Sequence, residues 1–286
     1  MGQVNDSGRA LVKVALIQMN SGDDRAANLR QASDLVARAV AEDRPDWVLL
    51  PECFDFLGGT RDAKFAAADA LPDGEAYATL QALARRHGVF IHAGSMLERL
   101  PGGERIGNTT VAFDRGGREV ARYRKIHLFD ITAPDGTEYR ESASFAPGDA
   151  VATYDCEGVT VGCSICYDIR FPFLYQALAD RGATLIAVPA AFTMQTGKDH
   201  WEVLLRARAI ETECYVAAAA QTGTFAQGGQ TRTTYGHSML VDPWGLVTAR
   251  ASDGVGTVAG RVEPERVERV RAMIPVMRHR RDMPRG

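Results

Sequence analysis

Apolar residues along this chain follow two rhythms. Short runs in which nearly every position is apolar alternate with longer stretches in which apolar residues return every three or four positions. The runs at 12–19, 47–51, 89–97, 159–165, 184–188, 215–220, 238–242 and 256–262 predict strands. Runs such as Thr184-Leu185-Ile186-Ala187-Val188 lack in–out alternation, which fits strands covered on both faces. Helical spacing marks 25–41, 75–87, 173–181, 198–211 and 265–273, with Gly88 placed to cap the second of these. Segments 108–113 and 119–124 predict a hairpin across Asp114-Arg115-Gly116-Gly117. This order predicts an α/β protein with two sheets and helices outside them. No repeat, linker or low-complexity block interrupts it. The 286 residues therefore read as one domain, with a core over about 12–262 and a C-terminal arm over about 263–286.

Composition narrows the function. A net charge of −3 argues against a nucleic-acid surface. The first ten residues hold no apolar stretch of the kind that opens a secretory signal, and no run is long enough to span a membrane. Asp6 also breaks the myristoylation pattern that Met1-Gly2 could begin. The five cysteines, 53, 156, 163, 166 and 214, are odd in number and scattered, unlike a disulfide framework. A cytoplasmic, reducing compartment is the expectation. The sequon Asn108-Thr109-Thr110 carries no meaning there.

Cys166 is the residue with the most chemistry around it. It follows the predicted strand 159–165 and precedes Tyr167-Asp168-Ile169-Arg170-Phe171-Pro172, where Pro172 suits a first helical turn. A thiol at a strand-to-helix junction faces helix N–H groups, which predicts a shift toward thiolate. A thiol hydrolase also needs a base and an oxyanion donor. Glu52 ends Leu49-Leu50-Pro51-Glu52 and could be a base whose burial favours the proton. Lys125, in Tyr123-Arg124-Lys125-Ile126-His127-Leu128, could face the developing oxyanion, a contact worth roughly 2.7–4 kcal/mol. The backbone N–H of Tyr167 could supply a second donor.

Together these three segments resemble the nitrilase superfamily of carbon–nitrogen hydrolases, in order and spacing, from about residue 12 onward. The resemblance implies a four-layer α-β-β-α sandwich with Cys166 as nucleophile beside Glu52 and Lys125. It also implies a second site carboxylate at Glu141, in Arg140-Glu141-Ser142, with Glu138 the competing choice. No metal or cofactor is implied, and a homodimer or larger homo-oligomer is. Segment 202–216, Tyr235-Gly236-His237-Ser238-Met239 and Pro275-Val276-Met277-Arg278-His279-Arg280-Arg281 are similar to the deaminated glutathione amidase branch. That branch implies a small amide carrying two carboxylates. Arg170, Lys198 and Arg232 are the candidate cations for them, and Phe192 a candidate lining residue. Ser164 and the Gly/Gln/Thr-rich stretch 222–234 depart from the branch; the stretch is expected to be a loop that lines or covers the pocket.

Other readings stay open. Cys163-Ser164-Ile165-Cys166 is formally a C-x-x-C, but strand alternation points the two sulfurs to opposite faces, and no second pair completes a zinc site. His127, His200 and His237 could suggest a Cys–His hydrolase; His127 is more plausibly an orienter of the Lys125 segment. The charged residues of 200–211 read as structural ion pairs or a subunit contact. The basic tail reads as a solvated or subunit-crossing arm. An ω-amidase of α-ketoglutaramate, a nitrilase acting on nitriles, and a catalytically silent binding protein on the same fold are the alternatives.

Overall fold

The computed structural model describes residues 11–133 and 135–281. The expectations about the first ten residues, and the end of the arm beyond 281, lie outside the described residues. One sheet has seven strands, in the order Gly256–Val262, Val12–Gln18, Trp47–Leu49, Phe90–His92, Ile106–Phe113 and Met96–Arg99, with Glu119–Arg124 also paired to Ile106–Phe113. The second has six, in the order Val247–Arg250, Met239–Val241, Tyr215–Ala220, Leu185–Ala190, Val159–Cys163 and Thr153–Cys156. Helices Arg25–Asp43 and Glu75–His87 cover the first sheet, while Pro172–Asp180 and Met194–Thr212 cover the second. This is the four-layer α-β-β-α sandwich that the resemblance implied.

The first strand shows why the layers form. Val12, Val14 and Leu16 face the inter-sheet core with Trp47 and Leu49. Ala15 and Ile17 face the opposite way, against Leu29, Ala32, Leu35 and Val36 of the covering helix. Both faces are apolar, so the strand reads as a near-continuous run, and a one-residue slip would exchange every contact. Between the sheets, Trp47 Nε1 donates to Tyr154 Oη at 2.7 Å. His92 Nδ1 meets the same hydroxyl at 3.1 Å, and burial pushes that imidazole down to about 3, so it is neutral.

Several boundaries differ from the sequence reading. The run 89–97 divides into Phe90–His92 and Met96–Arg99, with a break at Gly94. Gly94 has φ +66°, and a Cβ there would fall 2.1 Å from the Pro51 carbonyl oxygen. The backbone beneath Glu52 therefore requires glycine. The helix expected at 198–211 begins at Met194, because the Thr193 hydroxyl caps it. The expected loop 222–234 is instead a hairpin of Thr222–Gln227 with Gln230–Tyr235. Gly228 and Gly229, at φ +57° and +75°, make its two-residue turn. Among the described residues, no helix is long and apolar enough to cross a membrane.

Candidate active site

The carboxyl ends of parallel strands converge on one side of the sandwich, where open sheets present ligand sites. Glu52 lies in the turn after Trp47–Leu49, Lys125 directly follows Glu119–Arg124, and Cys166 follows Val159–Cys163. They meet in a cavity of about 200 Å³, which is also lined by Glu141, Tyr167 and Phe192.

Lys125 is nearly fully buried, with its ammonium between two carboxylates. Nζ lies 2.9 Å from Glu52 Oε1 and 2.9 Å from Glu141 Oε2. Burial alone would lower its pKa, but Glu141 and Glu52 together hold it well above the usual lysine value. Its backbone is pinned as well: Lys125 N donates to the Asn108 carbonyl, and Gly148 N donates to the Lys125 carbonyl. Of the two carboxylates the sequence offered for this partnership, Glu141 makes the contact; Glu138 is exposed and pairs with Arg140 at 3.3 Å.

Glu52 is clamped from three directions. Besides Lys125, Asn108 Nδ2 donates to Oε1 at 2.9 Å, and Ala191 N donates to Oε2 at 2.9 Å. Gln221 Nε2 donates to the Glu52 carbonyl at 3.0 Å. One oxygen of the carboxylate thus faces Lys125 and the other lies on the side of the second sheet, where the Glu52 charge acts on the Cys166 thiol.

Cys166 corrects the expectation of a thiolate. It opens a single 3₁₀ turn, Cys166–Arg170, and not an α-helix. Burial pushes its thiol well above the ordinary range, Glu52 pushes it further, and Lys125 only partly opposes them. The resting group is the neutral thiol, so attack requires a neighbouring base. Its φ of +48° is unusual for a non-glycine residue and stores strain on the order of 1–3 kcal/mol at the turn that presents the sulfur.

Asp168 ties the two segments together. Its fully buried carboxylate accepts from Tyr123 Oη at 2.7 Å, His127 N at 3.0 Å, His127 Nδ1 at 2.7 Å and Ile165 N at 2.9 Å. Tyr123 and His127 flank Lys125; Ile165 precedes Cys166. His127 also stacks on Phe171 with centroids 3.7 Å apart, and so orients its segment without entering the cavity lining. His200 meets Arg170, and His237 lies by Asp253 and Tyr235.

Two candidate cations fall outside the pocket. Arg170 is not among the lining residues; its guanidinium lies over the rings of Tyr167 and Phe192, at 5.9 and 5.5 Å. Lys198 is exposed beside Asp199. Arg232 lines the pocket, as do Lys64 and Arg140, which the sequence reading did not select. That reading also passed over Asn108, dismissed as the head of a sequon, and Asp168. An amide side chain within the fully buried strand Ile106–Phe113 was the available signal for Asn108. Among the described residues, no group of His, Cys, Asp and Glu could hold a metal ion.

The family model for carbon–nitrogen hydrolases matches residues 13–272, and the chain belongs to that family. It is thus an enzyme of the nitrilase superfamily, a hydrolase of carbon–nitrogen bonds. It is 42% identical over 270 residues to the deaminated glutathione amidase of Synechocystis sp., covering 93% of this chain and 97% of that one. Nit3 of Saccharomyces cerevisiae, a member of branch 10 of the superfamily, superposes with a TM-score of 0.83 at 31% identity, covering 93% of this chain and 95% of that one. A Glu→Gln variant of the amidase from Nesterenkonia sp. AN1 superposes with a TM-score of 0.75 at 26% identity, covering 98% and 97% of the two chains. In that structure the acetamide moiety of fluoroacetamide is added covalently at the active site cysteine.

Proposed function

We propose that this enzyme cleaves the amide bond of a small carboxylate-bearing substrate of the deaminated glutathione type, through a thioester on Cys166. The observation that carries the reading is the buried Lys125 ammonium held between Glu52 and Glu141 in the cavity that Cys166 lines. The Cys166 proton passes to Glu52 as sulfur attacks the amide carbon. The carbonyl oxygen takes up the negative charge within reach of Lys125, with the Tyr167 backbone N–H as second donor. As the tetrahedral intermediate collapses, Glu52 returns the proton to the departing amine and the thioester remains. Water then gives a proton to Glu52 and its hydroxide attacks the thioester; the acid leaves and the thiol is restored. Glu141 keeps Lys125 charged and in place.

The amidase relative from Synechocystis supports the amide and its acid, and the Nesterenkonia adduct supports a cysteine nucleophile. A homo-oligomer in a reducing, cytoplasmic setting completes the proposal; all five cysteines are free thiols, which suits that setting. Steady-state rates on a panel of amides and nitriles, with detection of released amine, test the assignment. kcat/KM should rank deaminated glutathione above α-ketoglutaramate, and both above aliphatic nitriles. Best turnover of nitriles or uncharged amides would overturn the substrate and leave the chemistry. Absence of any turnover would favour a silent binding protein.

A further inference from the structure

The hairpin of Thr222–Gln227 and Gln230–Tyr235 presents one face to the cavity. Phe225, Gln227, Arg232, Thr233 and Thr234 line it, whereas Thr224, Ala226 and Thr231 are exposed. Phe225 and Arg232 are cross-strand partners. The hairpin is fastened at both edges: Gly59 N donates to the Ala226 carbonyl at 3.0 Å, and Tyr235 N to the Phe192 carbonyl at 2.9 Å. Arg232 is therefore carried on a held element.

An aromatic wall connects Arg232 to the nucleophile. Its guanidinium lies 5.2 Å from the Tyr139 centroid. Tyr139 contacts Phe129 at 5.1 Å, and Phe129 contacts Tyr167 at 5.1 Å, next in chain to Cys166. The lining of this slot thus carries the thiol, a run of aromatic rings and the cation.

The carboxylates lining this slot are already engaged: Glu52 and Glu141 by Lys125, and Glu138 by Arg140. Among the described residues Arg232 has no ion-pair partner, and its Nε is buried with no hydrogen-bond acceptor. A half-buried guanidinium with an unpaired donor is costly, and a carboxylate would satisfy it through two parallel bonds. Lys64, the other lining cation without an ion pair, leans toward Phe145 as a point charge and lacks that planar fork.

We propose that Arg232 reads a substrate carboxylate carried several atoms from the scissile amide, so that the hairpin sets specificity. This inference rests on the amide-hydrolase reading above. The test compares glutaramate with pentanamide, which differ in a terminal carboxylate against a terminal methyl, in the wild-type enzyme, Arg232→Gln and Arg232→Lys. The wild type should prefer glutaramate. R232Q should lose about 10- to 100-fold of that preference, chiefly through KM, the scale of a charge-assisted hydrogen bond. R232K should fall between them, and carries the test if R232Q does not fold. A wild type that prefers glutaramate, with R232Q or R232K equally selective, overturns the inference and leaves the amide-hydrolase reading standing. A proportional loss on both amides marks a structural role and overturns it too. A wild type that cleaves both amides equally removes the carboxylate requirement, and one that cleaves no amide overturns both readings.

Discussion

Lys125 Nζ and Glu52 Oε1 lie 2.9 Å apart in a cavity that nearly excludes both side chains from solvent. A buried charge pair survives because further groups complete it: Glu141 on the lysine, Asn108 and Ala191 N on the carboxylate. These groups therefore act as a unit. Glu52→Gln and Lys125→Gln should each lower kcat by about 10³-fold or more, and the double variant should be little worse than either. Cleanly multiplicative losses in single-turnover rates would show two independent contributions.

Cys166 should carry the covalent intermediate. Cys166→Ala should fold and lose at least about 10³-fold in rate. Intact mass after acid quench, followed by peptide mapping, should place a substrate acyl group on Cys166. Cys53, which lines the same cavity, and Cys163, buried in the strand before it, are the alternative positions that would refute this.

Asp168 should matter as much to geometry as to stability. Asp168→Asn keeps the shape but replaces one of two charged acceptor oxygens with a donor amide beside Tyr123, His127 and Ile165. The loss should be about 2–4 kcal/mol by urea unfolding, the scale of charge-assisted bonds broken in a buried site. The folded variant should also lose kcat more than KM, because Lys125 and Cys166 are no longer held in register. Unchanged kcat in a folded variant would confine Asp168 to a structural role.

Asp55 gives the fold a pH dependence of unusual sign for a carboxylate. It is completely buried, and burial pushes its carboxyl up to about 7, against the opposing charge of Arg25. Arg25 is drawn away into an ion pair with Asp69. Between the ordinary carboxylate range and about 7 the folded state binds the extra proton, so stability falls as pH rises through that window and levels off above it. Asp55→Asn should flatten this slope. Thermal midpoints of both proteins between pH 5 and 8 check it, and parallel curves would refute it.

The oligomer should form through an exposed apolar face. Val203 and Ile210 project from Met194–Thr212, and Trp244 and Leu246 lie at the adjacent turn, where Ile210 packs on Gly245. Light scattering should report at least twice the 31.0 kDa chain mass. Val203→Glu with Leu246→Glu should shift the protein toward monomer. A stable, active wild-type monomer would refute the assembly.

The layered fold and the segments bearing Glu52, Lys125 and Cys166 were legible in the sequence, because runs covered on both faces, the Gly88 cap and strand ends are local patterns. The stretch 222–234 reads as a loop, because the polar strands on either side of Gly228-Gly229 lack the apolar alternation that marks a hairpin. What tertiary structure alone decided was long-range. Asn108 reaches Glu52 across 56 residues, and Ala191 N reaches it across 139. Asp168 joins segments 41 and 45 residues away, and Arg170 packs over the Tyr167 and Phe192 rings without lining the pocket. The protonation of Cys166 belongs with these. The sequence shows a junction that would favour a thiolate, but burial and the Glu52 charge come from packing two sheets together, and desolvation in that interior outweighs the local turn.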